Sequence, residues 1–471
     1  MKKIIIALSV IALMVSCSKK ELELNPFNQI ETAQAFNTQT DVNLAILGMY
    51  QGLRANNYVN GTWNIISDVM SDNLIISSLG RQTLTVFGDW RYNGDNTVGF
   101  FSSGYVITRR ANAILENIEK FPSGAFKDNA KGEALALRAL VYFDMARVFS
   151  KTFENATATD STLAYITSTD AKQLPTKEPV RGFYQKIVND LNTALPLINA
   201  SNGVGRLNKS VVSGLLSRVY LYMGDFTNCI SSANAALGTS PVLPSRADFP
   251  LIWTDQTNNG VLFKVVNTTL DNINTPGVNY YQTVGGLIRS EYVCEYNLRQ
   301  QYTASDIRTS SYIQTSLYNG VLQNHVVKYA GRPGQVAGVV DAKVLRTAEV
   351  LLNRAEAYQR SGNDALALAD LNLLRANRYS PSTPLTLSGA ALLAEILRER
   401  RLELAFEGDR FWDLKRRNQP VQRDSNFGDR ADGTGVKYIF TSLPAGDYRF
   451  QLPYPSSEVN FNSGFKQNPG Y

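Results

Sequence analysis

The sequence contains a single histidine, His325, among 471 residues, and this scarcity excludes several kinds of site. A zinc site built from several histidines cannot form within one chain, and a Ser-His-Asp triad would have to use His325. His325 lies in an alternating segment that predicts a strand, and no metal-binding or nucleophile motif accompanies it. We therefore interpret it as a structural or surface residue. The sequence predicts no catalytic residue and no metal site.

Charge and long apolar runs are also scarce. Charged residues make up 19% of the chain, and 47 Lys and Arg stand against 41 Asp and Glu without clustering. Nucleic-acid binding needs a clustered basic face, so we predict none. After residue 16 no stretch approaches the roughly 20 apolar residues of a membrane-spanning helix. Glycine-rich phosphate loops are absent as well, and we predict no cofactor.

The first 16 residues have the features of a secretory signal peptide. Lys2 and Lys3 precede a nearly continuous apolar run at 4–15, which is too short to span a bilayer. Cys17 follows a small residue, as in a bacterial lipobox, and this predicts lipidation of Cys17; ordinary cleavage near Ser16 is the alternative. We therefore expect residues 17–30 to form a tether between the lipid anchor and a single domain at 31–471.

Only two cysteines, Cys229 and Cys294, lie beyond the tether. An oxidising compartment permits a disulfide between them, but two residues this far apart do not specify one. We favour two small buried hydrophobic residues.

Apolar residues recur at helical spacing along much of the chain and predict a mainly α protein. The predicted helices are 40–54, 105–121, 129–149, 181–197, 209–224, 226–237, 343–361, 364–378 and 388–408. In the first, Leu44, Leu47, Tyr50 and Gln51 are spaced along one face. Residues 238–342 are rich in Pro, Gly, Asn, Thr and Tyr, and predict a loop-rich insertion with a few short strands and helices.

Two of the helix pairs share one pattern around the turn. The copies are Tyr220-x3-Gly224-Asp225-x3-Cys229 and Tyr358-x3-Gly362-Asn363-x3-Ala367. The glycine reverses the chain, and the small residue five positions later lets the second helix approach the first. The spacing resembles a tetratricopeptide (TPR) repeat, with a generic αα-hairpin as the alternative. The helices at 129–149 and 181–197 are candidates for a third, degenerate unit.

The segment 399–416 is unusually rich in charge. Arg400, Glu403 and Glu407 share one helical face with Ile396, which places charges partly inside the protein. Two carboxylates are able to act as general acid and base. However, arginines stand close by, and buried charges usually persist by pairing. We interpret the segment as a structural ion-pair network.

Aromatic residues in polar loops are the candidate ligand-binding residues. Trp90 and Asn93 share a loop rich in Gly, Asn and Asp, while Tyr280, Tyr281 and Tyr292 lie in the loop-rich insertion. Tyrosine and tryptophan offer a flat apolar face with a polar edge, which suits the apolar C–H faces and hydroxyl rims of sugars. We predict that these residues contact a sugar; the alternative for each ring is a place in the core.

Together these features resemble the SusD/RagB family of Bacteroidetes outer-membrane nutrient-binding lipoproteins. The matching segments, in the family's order, are 22–26, 35–36, 45–50, 110–116 (its R-A-N helix), 132–139, 346–357, 399–416 and 467–471. Residues 18–21 are also similar to the family's surface-export signal. The resemblance spans essentially the whole mature chain, and it is highly specific because several independent motifs occur in the right order.

The resemblance implies a SusD-like fold, with four TPR-like units as a scaffold and variable loops that carry the ligand site. It implies a cell-surface lipoprotein of the outer membrane that captures an oligosaccharide, or in some members a peptide. Such proteins deliver the ligand to a SusC-like TonB-dependent transporter without cleaving it. In starch-binding members a Trp and an Asn precede the R-A-N helix, which places Trp90 and Asn93 in the site, with Asp72 and Arg81 as polar partners.

Two other functions remain open from the sequence. A secreted glycoside hydrolase on a helical frame needs two facing carboxyl groups, and the chain has many acidic residues to choose from. A TPR-type scaffold for a protein partner is the second alternative, although a scaffold would not require the loop-rich insertion at 238–342.

Overall fold

The computed structural model describes residues 35–270 and 275–471. The predicted signal peptide, the lipidation site Cys17 and the tether at 17–30 lie outside the described residues. The α-helices are α1 (Gln39–Gly52), α2 (Trp63–Met70), α3 (Thr85–Gly88), α4 (Phe100–Ile118), α5 (Ala125–Phe149), α6 (Val180–Leu197), α7 (Lys209–Met223), α8 (Phe226–Leu237), α9 (Phe249–Ile252), α10 (Thr275–Tyr281), α11 (Tyr296–Gln301), α12 (Arg308–Tyr312), α13 (Thr347–Arg360), α14 (Asp364–Ala376), α15 (Gly389–Leu404), α16 (Arg410–Arg416) and α17 (Ser456–Phe461). The strands are β1 (Leu74–Ile76), β2 (Val261–Val265), β3 (Gln282–Val284), β4 (Leu287–Arg289), β5 (Tyr292–Cys294), β6 (Ile313–Tyr318), β7 (Val321–Val326), β8 (Ala342–Arg346), β9 (Val421–Gln422) and β10 (Ser442–Leu443).

Successive long helices pack side by side into one stack. Helix α1 packs on α4 and α4 on α5, and the packing continues through α6, α7 and α8 to α13, α14 and α15. Helices account for 45% of the protein and strands for 10%, so the prediction of a mainly α fold is confirmed. None of the helices in the described ranges is both long and apolar enough to cross a membrane.

The two predicted TPR-like pairs, α7–α8 and α13–α14, have the same turn. Gly224 and Gly362 adopt left-handed backbone angles, with φ of +71° and +80°. In each turn the next residue donates its N–H to the carbonyl of the tyrosine five positions earlier, Tyr220 at 3.0 Å and Tyr358 at 2.8 Å. The TPR-like helix-turn-helix units are therefore confirmed. Helices α5 and α6, the candidate third unit, also pack against each other.

Helix α1 faces the core with a different side from the one that carries Leu44 and Leu47. Its buried residues are Val42, Ile46 and Met49. Leu44 and Leu47 are 61% and 57% exposed, so these two apolar residues lie on the outer side of the helix. The spacing of apolar residues allows both faces, and only the packing of α1 against α4 and α5 decides between them.

The loop-rich insertion forms short strands and helices, as predicted. Its main feature is an antiparallel four-stranded sheet in the order β1-β5-β7-β6. Strand β1 lies outside the insertion and pairs with β5 through Leu74 and Cys294, so the sheet joins distant parts of the chain. One boundary was wrong, because residues 343–346 belong to strand β8, which pairs with β2, and the helix begins only at Thr347.

Cys229 and Cys294 are both buried and free, which confirms that they behave as small core residues without a disulfide.

His325 is buried on strand β7, and the alternating sequence around it had predicted a strand. Its Nδ1 lies 2.8 Å from Ser290 Oγ and its Nε2 lies 3.3 Å from the carbonyl of Ser316. The imidazole is therefore held on both sides and has no exposed edge for chemistry.

The charged segment 399–416 forms the buried ion-pair network that its composition predicted. Arg400 binds Asp413 at 3.1 Å and Asp409 at 3.2 Å, and it also donates to the side chain of Asn353. Burial by itself would raise the pKa of Glu403, but the neighbouring arginines outweigh it and hold that pKa well below its usual range. These carboxylates are ion-paired and enclosed, which suits a structural role.

Candidate ligand-binding site

The candidate site lies beside β1, the edge strand of the four-stranded sheet, where three parts of the chain meet. They are the loop 77–85, helix α10 with the β3–β4 hairpin, and the loop 428–440. Asp429 is 2% exposed and joins two of them. Its carboxylate accepts hydrogen bonds from the backbone N–H groups of Ser78 at 2.7 Å and Val436 at 2.8 Å. The buried aspartate thus fixes the position of one loop relative to the other.

The polar part of the site is the Arg81 platform, which consists of Arg81, Asn279 and Glu291. Arg81 Nε donates to Glu291 Oε1 at 2.7 Å, and Arg81 Nη2 donates to Asn279 Oδ1 at 3.3 Å. The side chain of Glu291 is 1% exposed, whereas that of Arg81 is 44% exposed. At Gly80 a Cβ would lie 2.9 Å from Glu291 Cα, so the glycine lets the loop pass this close to β5.

This arrangement leaves Arg81 oriented and partly free. Among the described residues no hydrogen-bond acceptor is bound to its Nη1. A guanidinium group has five N–H donors in a rigid plane, so the unused donors point to fixed places. The platform is able to donate hydrogen bonds to hydroxyl or carboxylate oxygens of a ligand at this surface.

Tyr280 and Tyr292 lie beneath the platform and not on its surface. Both side chains are 0% exposed. Tyr292 Oη is hydrogen-bonded to Thr83 Oγ1 at 2.6 Å, and the Tyr280 ring stacks on Tyr329 with 5.7 Å between centroids. The prediction that these two rings contact a sugar is therefore corrected, since they support the loop from below. Tyr281, the third predicted tyrosine here, is half-buried.

An apolar groove of about 110 Å³ lies beside the platform. Its wall residues Val436 and Ile439 are 55% and 76% exposed, and Gln82, which follows Arg81 in the chain, also lines the groove. Adjacent exposed apolar side chains of this kind often mark a binding surface. The groove and the Arg81 platform together offer apolar contact next to oriented hydrogen-bond donors.

The loop that carries Arg81 also has an unusual backbone. Gln82 and Leu84 both adopt left-handed angles, with φ of +55° and +57°. Such angles cost a non-glycine residue about 1–2 kcal/mol, and they are found more often at functional sites than elsewhere. The strain supports the assignment of this loop to the candidate site.

Trp90, the principal predicted contact, is a core residue. It is 3% exposed, and its Nε1 donates to the carbonyl of Met70 at 2.8 Å. The guanidinium of Arg423 lies 4.1 Å from the ring centroid. Arg423 is itself held by four backbone carbonyls, including those of Ser71 and Gly88. The prediction that Trp90 contacts a ligand is therefore corrected. It failed because the polar residues around Trp90 do not show that this loop folds onto the end of α2.

Asp72, predicted as a polar partner of the ligand, is bound within the protein. Its two oxygens accept hydrogen bonds from Arg410 at 2.8 and 2.9 Å, and Arg401 lies 3.3 Å away. Burial raises the pKa of Asp72, but Arg401 and Arg410 have the larger combined effect and hold it below its usual range. The carboxylate joins α16 to the end of α2, so its predicted ligand role is corrected.

Asn93 is exposed but lies in a tight turn away from the platform. Its side chain accepts a hydrogen bond from the N–H of Asp95 at 2.9 Å, and its own N–H donates to Asn96. The neighbouring Gly94 accepts a hydrogen bond from Ser456, so this turn rests on the C-terminal segment. Of the seven predicted residues, the structure brings Arg81, Tyr280 and Tyr292 together, with Tyr281 next to Tyr280 in the chain. Asp72, Trp90 and Asn93 are held in other contacts.

Sequence reasoning missed Glu291, Asn279 and Ile439. Glu291 had a usable signal, because it stands directly before the apolar run that becomes β5 and a buried carboxylate needs a cation. That signal does not identify Arg81 as the partner, since the two residues are far apart in sequence. The described residues contain no group of three or more side chains suited to holding a metal ion.

Comparison with known proteins identifies the family. A model of the SusD family matches residues 256–471, and a model described as starch-binding and associating with the outer membrane matches residues 22–221. The chain belongs to the SusD/RagB family. Members of this family are carbohydrate-binding proteins associated with the outer membrane.

Individual SusD-like relatives are distant but extend over the whole chain. SusD-like protein P2 of Formosa agariphila is 26% identical, and the alignment covers 100% of both chains. A crystal structure of a SusD superfamily protein from Bacteroides vulgatus has a TM-score of 0.82 at 24% identity, covering 93% of this chain and 100% of that one. A SusD-like carbohydrate-binding protein from the same species has a TM-score of 0.76 at 20% identity, covering 91% and 98%. These structures show that the fold is SusD-like.

Proposed function

We propose that this protein captures an oligosaccharide at the cell surface and delivers it to a SusC-like TonB-dependent transporter. The lipidated Cys17 anchors it in the outer membrane, and residues 17–30 connect the anchor to a single SusD-like domain. The protein binds its ligand and does not cleave it. The observation that carries the proposal is the Arg81 platform, in which a partly exposed guanidinium is held by a buried carboxylate beside an apolar groove.

The geometry of the platform fits a sugar ligand. Sugar hydroxyl groups accept hydrogen bonds from oriented donors such as Arg81, and apolar C–H faces pack on side chains such as Val436 and Ile439. Hydrogen bonds that involve a charged group are stronger than neutral ones, at about 1.5–3 kcal/mol. Glu291 already binds Arg81 through both of its oxygens, which supports a binding role for this carboxylate and not an acid–base role.

The first experiment is calorimetric titration of the chain from Ser18 onwards with a panel of oligosaccharides and peptides. The test variant is Arg81→Met, which keeps most of the aliphatic side chain and removes the guanidinium. We expect wild type to bind one class of oligosaccharide and Arg81→Met to bind it at least about tenfold more weakly.

Arg206 provides a matched control. Its side chain is 34% exposed and is paired with Glu133, which is fully buried, in the same way that Arg81 is paired with Glu291. Arg206→Met should therefore cost a similar amount of folding stability and leave oligosaccharide binding unchanged. Equal oligosaccharide affinity in wild type and Arg81→Met would show that the Arg81 platform is not the binding site. A lack of binding to any oligosaccharide would contradict the proposed ligand class.

A hydrolase is distinguished by turnover. Incubation of the bound oligosaccharide with the protein should release no shorter product over many hours, as measured by chromatography. Cleavage that disappears when one Asp or Glu is replaced would establish an enzyme instead.

Transporter delivery needs its own test. Affinity purification of the lipidated protein from outer membranes should recover a TonB-dependent transporter in comparable amount. Loss of the anchor in Cys17→Ala should release the protein from the membrane fraction. Recovery of the protein alone from membranes that contain such transporters would contradict the delivery step.

A further inference from the structure

A second cavity of about 340 Å³ lies away from the Arg81 platform, where the end of α5, the end of α16 and the C-terminal segment meet. We call it the Lys415 cavity and define it by Lys415, Asn155, Asn418, Gln451, Tyr448 and Phe450, which line it. Its volume is in the range of pockets that hold small molecules.

Lys415 differs from the other buried lysines. Within the described ranges four lysines are buried: Lys264, Lys328, Lys343 and Lys415. The first three each form an ion pair with a carboxylate at 2.7 Å. Lys415 has no carboxylate partner among the described residues, and its Nζ donates only to the carbonyl of Arg147, at 2.6 Å. An ammonium group has three donors, so this one is left with spare donors. Among the described residues its charge faces no carboxylate and is offset only by the last turn of α5, which carries that carbonyl, and by the Trp412 ring, whose centroid is 5.7 Å away.

The other charges at the cavity are already balanced. Lys151 is paired with Asp160 at 2.7 Å, and Asp447 is paired with Arg449 at 2.8 Å. A buried charge without a partner is costly, and desolvation accordingly lowers the pKa of Lys415 to about 7. A single negative charge placed in the cavity would restore the balance.

The remaining walls indicate what should carry that charge. Asn418 has a left-handed backbone, with φ of +50°, and its side-chain oxygen approaches Gly446 at the rim. Gln451 donates to the carbonyl of Phe149 at 3.1 Å, which leaves its own side-chain oxygen available as an acceptor. Tyr448 is 47% exposed and offers a ring face. Amide groups and a ring face suit a hydroxylated ligand.

We propose that the Lys415 cavity is a second ligand site that binds a sugar acid, whose carboxylate pairs with the Lys415 ammonium and whose hydroxyl groups contact the amide side chains. The site uses different elements from the Arg81 platform and does not depend on the function proposed for that platform. A sugar acid carries one carboxylate, which matches the one unpaired cation.

The test is calorimetric titration of the chain from Ser18 onwards with D-glucuronate, D-glucose and acetate, at a slightly acidic pH where Lys415 is protonated. We expect saturable binding of glucuronate, no binding of glucose, and acetate binding at least tenfold weaker than glucuronate. This comparison requires no variant. A lack of glucuronate binding would overturn the proposal, and acetate binding of equal strength would overturn the assignment to a sugar acid.

Variants then locate the binding. Lys415→Met should weaken glucuronate binding at least about tenfold, because it removes a charge-assisted hydrogen bond. Lys177 is a control, since its Nζ also donates to a backbone carbonyl, at 3.2 Å, but it does not line the cavity. Lys177→Met should leave glucuronate binding unchanged.

Two results at this stage would overturn the proposal. One is full glucuronate affinity in Lys415→Met, and the other is loss of affinity in Arg81→Met but not in Lys415→Met. Asn418→Ala covers the case in which Lys415→Met fails to fold. This rim variant keeps the lysine and should weaken glucuronate binding several-fold, whereas unchanged affinity would count against the cavity.

Discussion

Arg378 and Glu403 form a two-bond ion pair in the interior of the protein. Arg378 Nε donates to Glu403 Oε2 at 2.9 Å and Nη2 donates to Oε1 at 3.0 Å, and both residues are 0% exposed. Glu403 also accepts from Arg346 at 2.7 Å and lies 3.4 Å from Arg308. One carboxylate on α15 therefore joins three arginines from α12, β8 and the end of α14.

Glu403→Gln should be strongly destabilising. The substitution removes the buried negative charge that three enclosed guanidinium groups share. Arg308 and Arg346 keep other carboxylates, but Arg378 is left with none among the described residues, and breaking a buried pair in this way typically costs about 3–5 kcal/mol. Urea unfolding followed by circular dichroism measures the change. Glu119→Gln is the control, because its carboxylate pairs with two lysines at the surface and should contribute only about 0–1 kcal/mol. Similar losses in the two variants would contradict a central role for Glu403.

In the folded protein, His325 should remain neutral at pH values well below the pKa of an ordinary histidine. Burial lowers its pKa to about 4, against about 6.5 in an unfolded chain. The unfolded state therefore binds more protons between these values, and this residue's contribution to stability falls as pH decreases through that window, by up to about 3 kcal/mol.

The measurement for His325 is direct because the chain has one histidine. In a chain without a histidine tag, the single imidazole signal in an NMR titration should have its midpoint near the lowered pKa. Comparison of unfolding free energies with His325→Asn isolates the stability effect from that of Asp68, whose raised pKa of about 6 acts in the opposite direction. A midpoint near the unfolded value would show that the imidazole is solvated.

Gly48→Ala and Gly362→Ala should have opposite effects on stability. Neither position has an atom within 4 Å of a new Cβ, so packing does not distinguish them. Gly48 lies inside α1, where alanine is favoured by about 0.5–1 kcal/mol. Gly362 has a φ of +80° in the second TPR-like turn, where a Cβ costs about 1–2 kcal/mol. Thermal unfolding of the two variants checks the signs, and the same sign in both would contradict the backbone explanation.

Trp90→Ala should impair folding and leave ligand binding by the folded protein unchanged. Removal of a buried tryptophan typically costs about 3–5 kcal/mol. Trp90→Phe keeps most of the ring but leaves the carbonyl of Met70 without its donor, so a smaller loss of about 1–3 kcal/mol is expected. Urea unfolding gives the stability, and calorimetry at a temperature where the variant is folded gives the affinity. If a stably folded Trp90→Phe protein no longer bound the ligand, Trp90 would be part of the binding site after all.

Local patterns were sufficient for the helical scaffold. The predicted helix at 226–237 has the observed bounds Phe226–Leu237, and Lys209–Met223 differs from its prediction by one residue. Helical spacing and a glycine turn act within a few neighbouring residues, so their effect is visible in the sequence. The ion-pair network around Glu403 was also predictable, because closely spaced charges on an apolar helical face must pair.

The candidate site was predicted only in part, for a physical reason. Burial of a side chain depends on residues that are distant in sequence, and the sequence does not show which of them meet. Trp90 is enclosed by Met70 and Arg423, and Tyr292 is covered by the loop that carries Thr83. Arg81 was predicted as a polar partner, but its function depends on Glu291, which fixes its orientation.

The sequence by itself determined the order of the helices, the family to which the chain belongs and the chemistry of its turns, because these depend on residues close together or on motifs in a set order. Tertiary structure alone decided which aromatic rings are buried, which arginine is oriented at the surface and which lysine lacks a carboxylate. Those properties arise from contacts such as Arg81 with Glu291 and Lys415 with Arg147, which only the folded chain brings together.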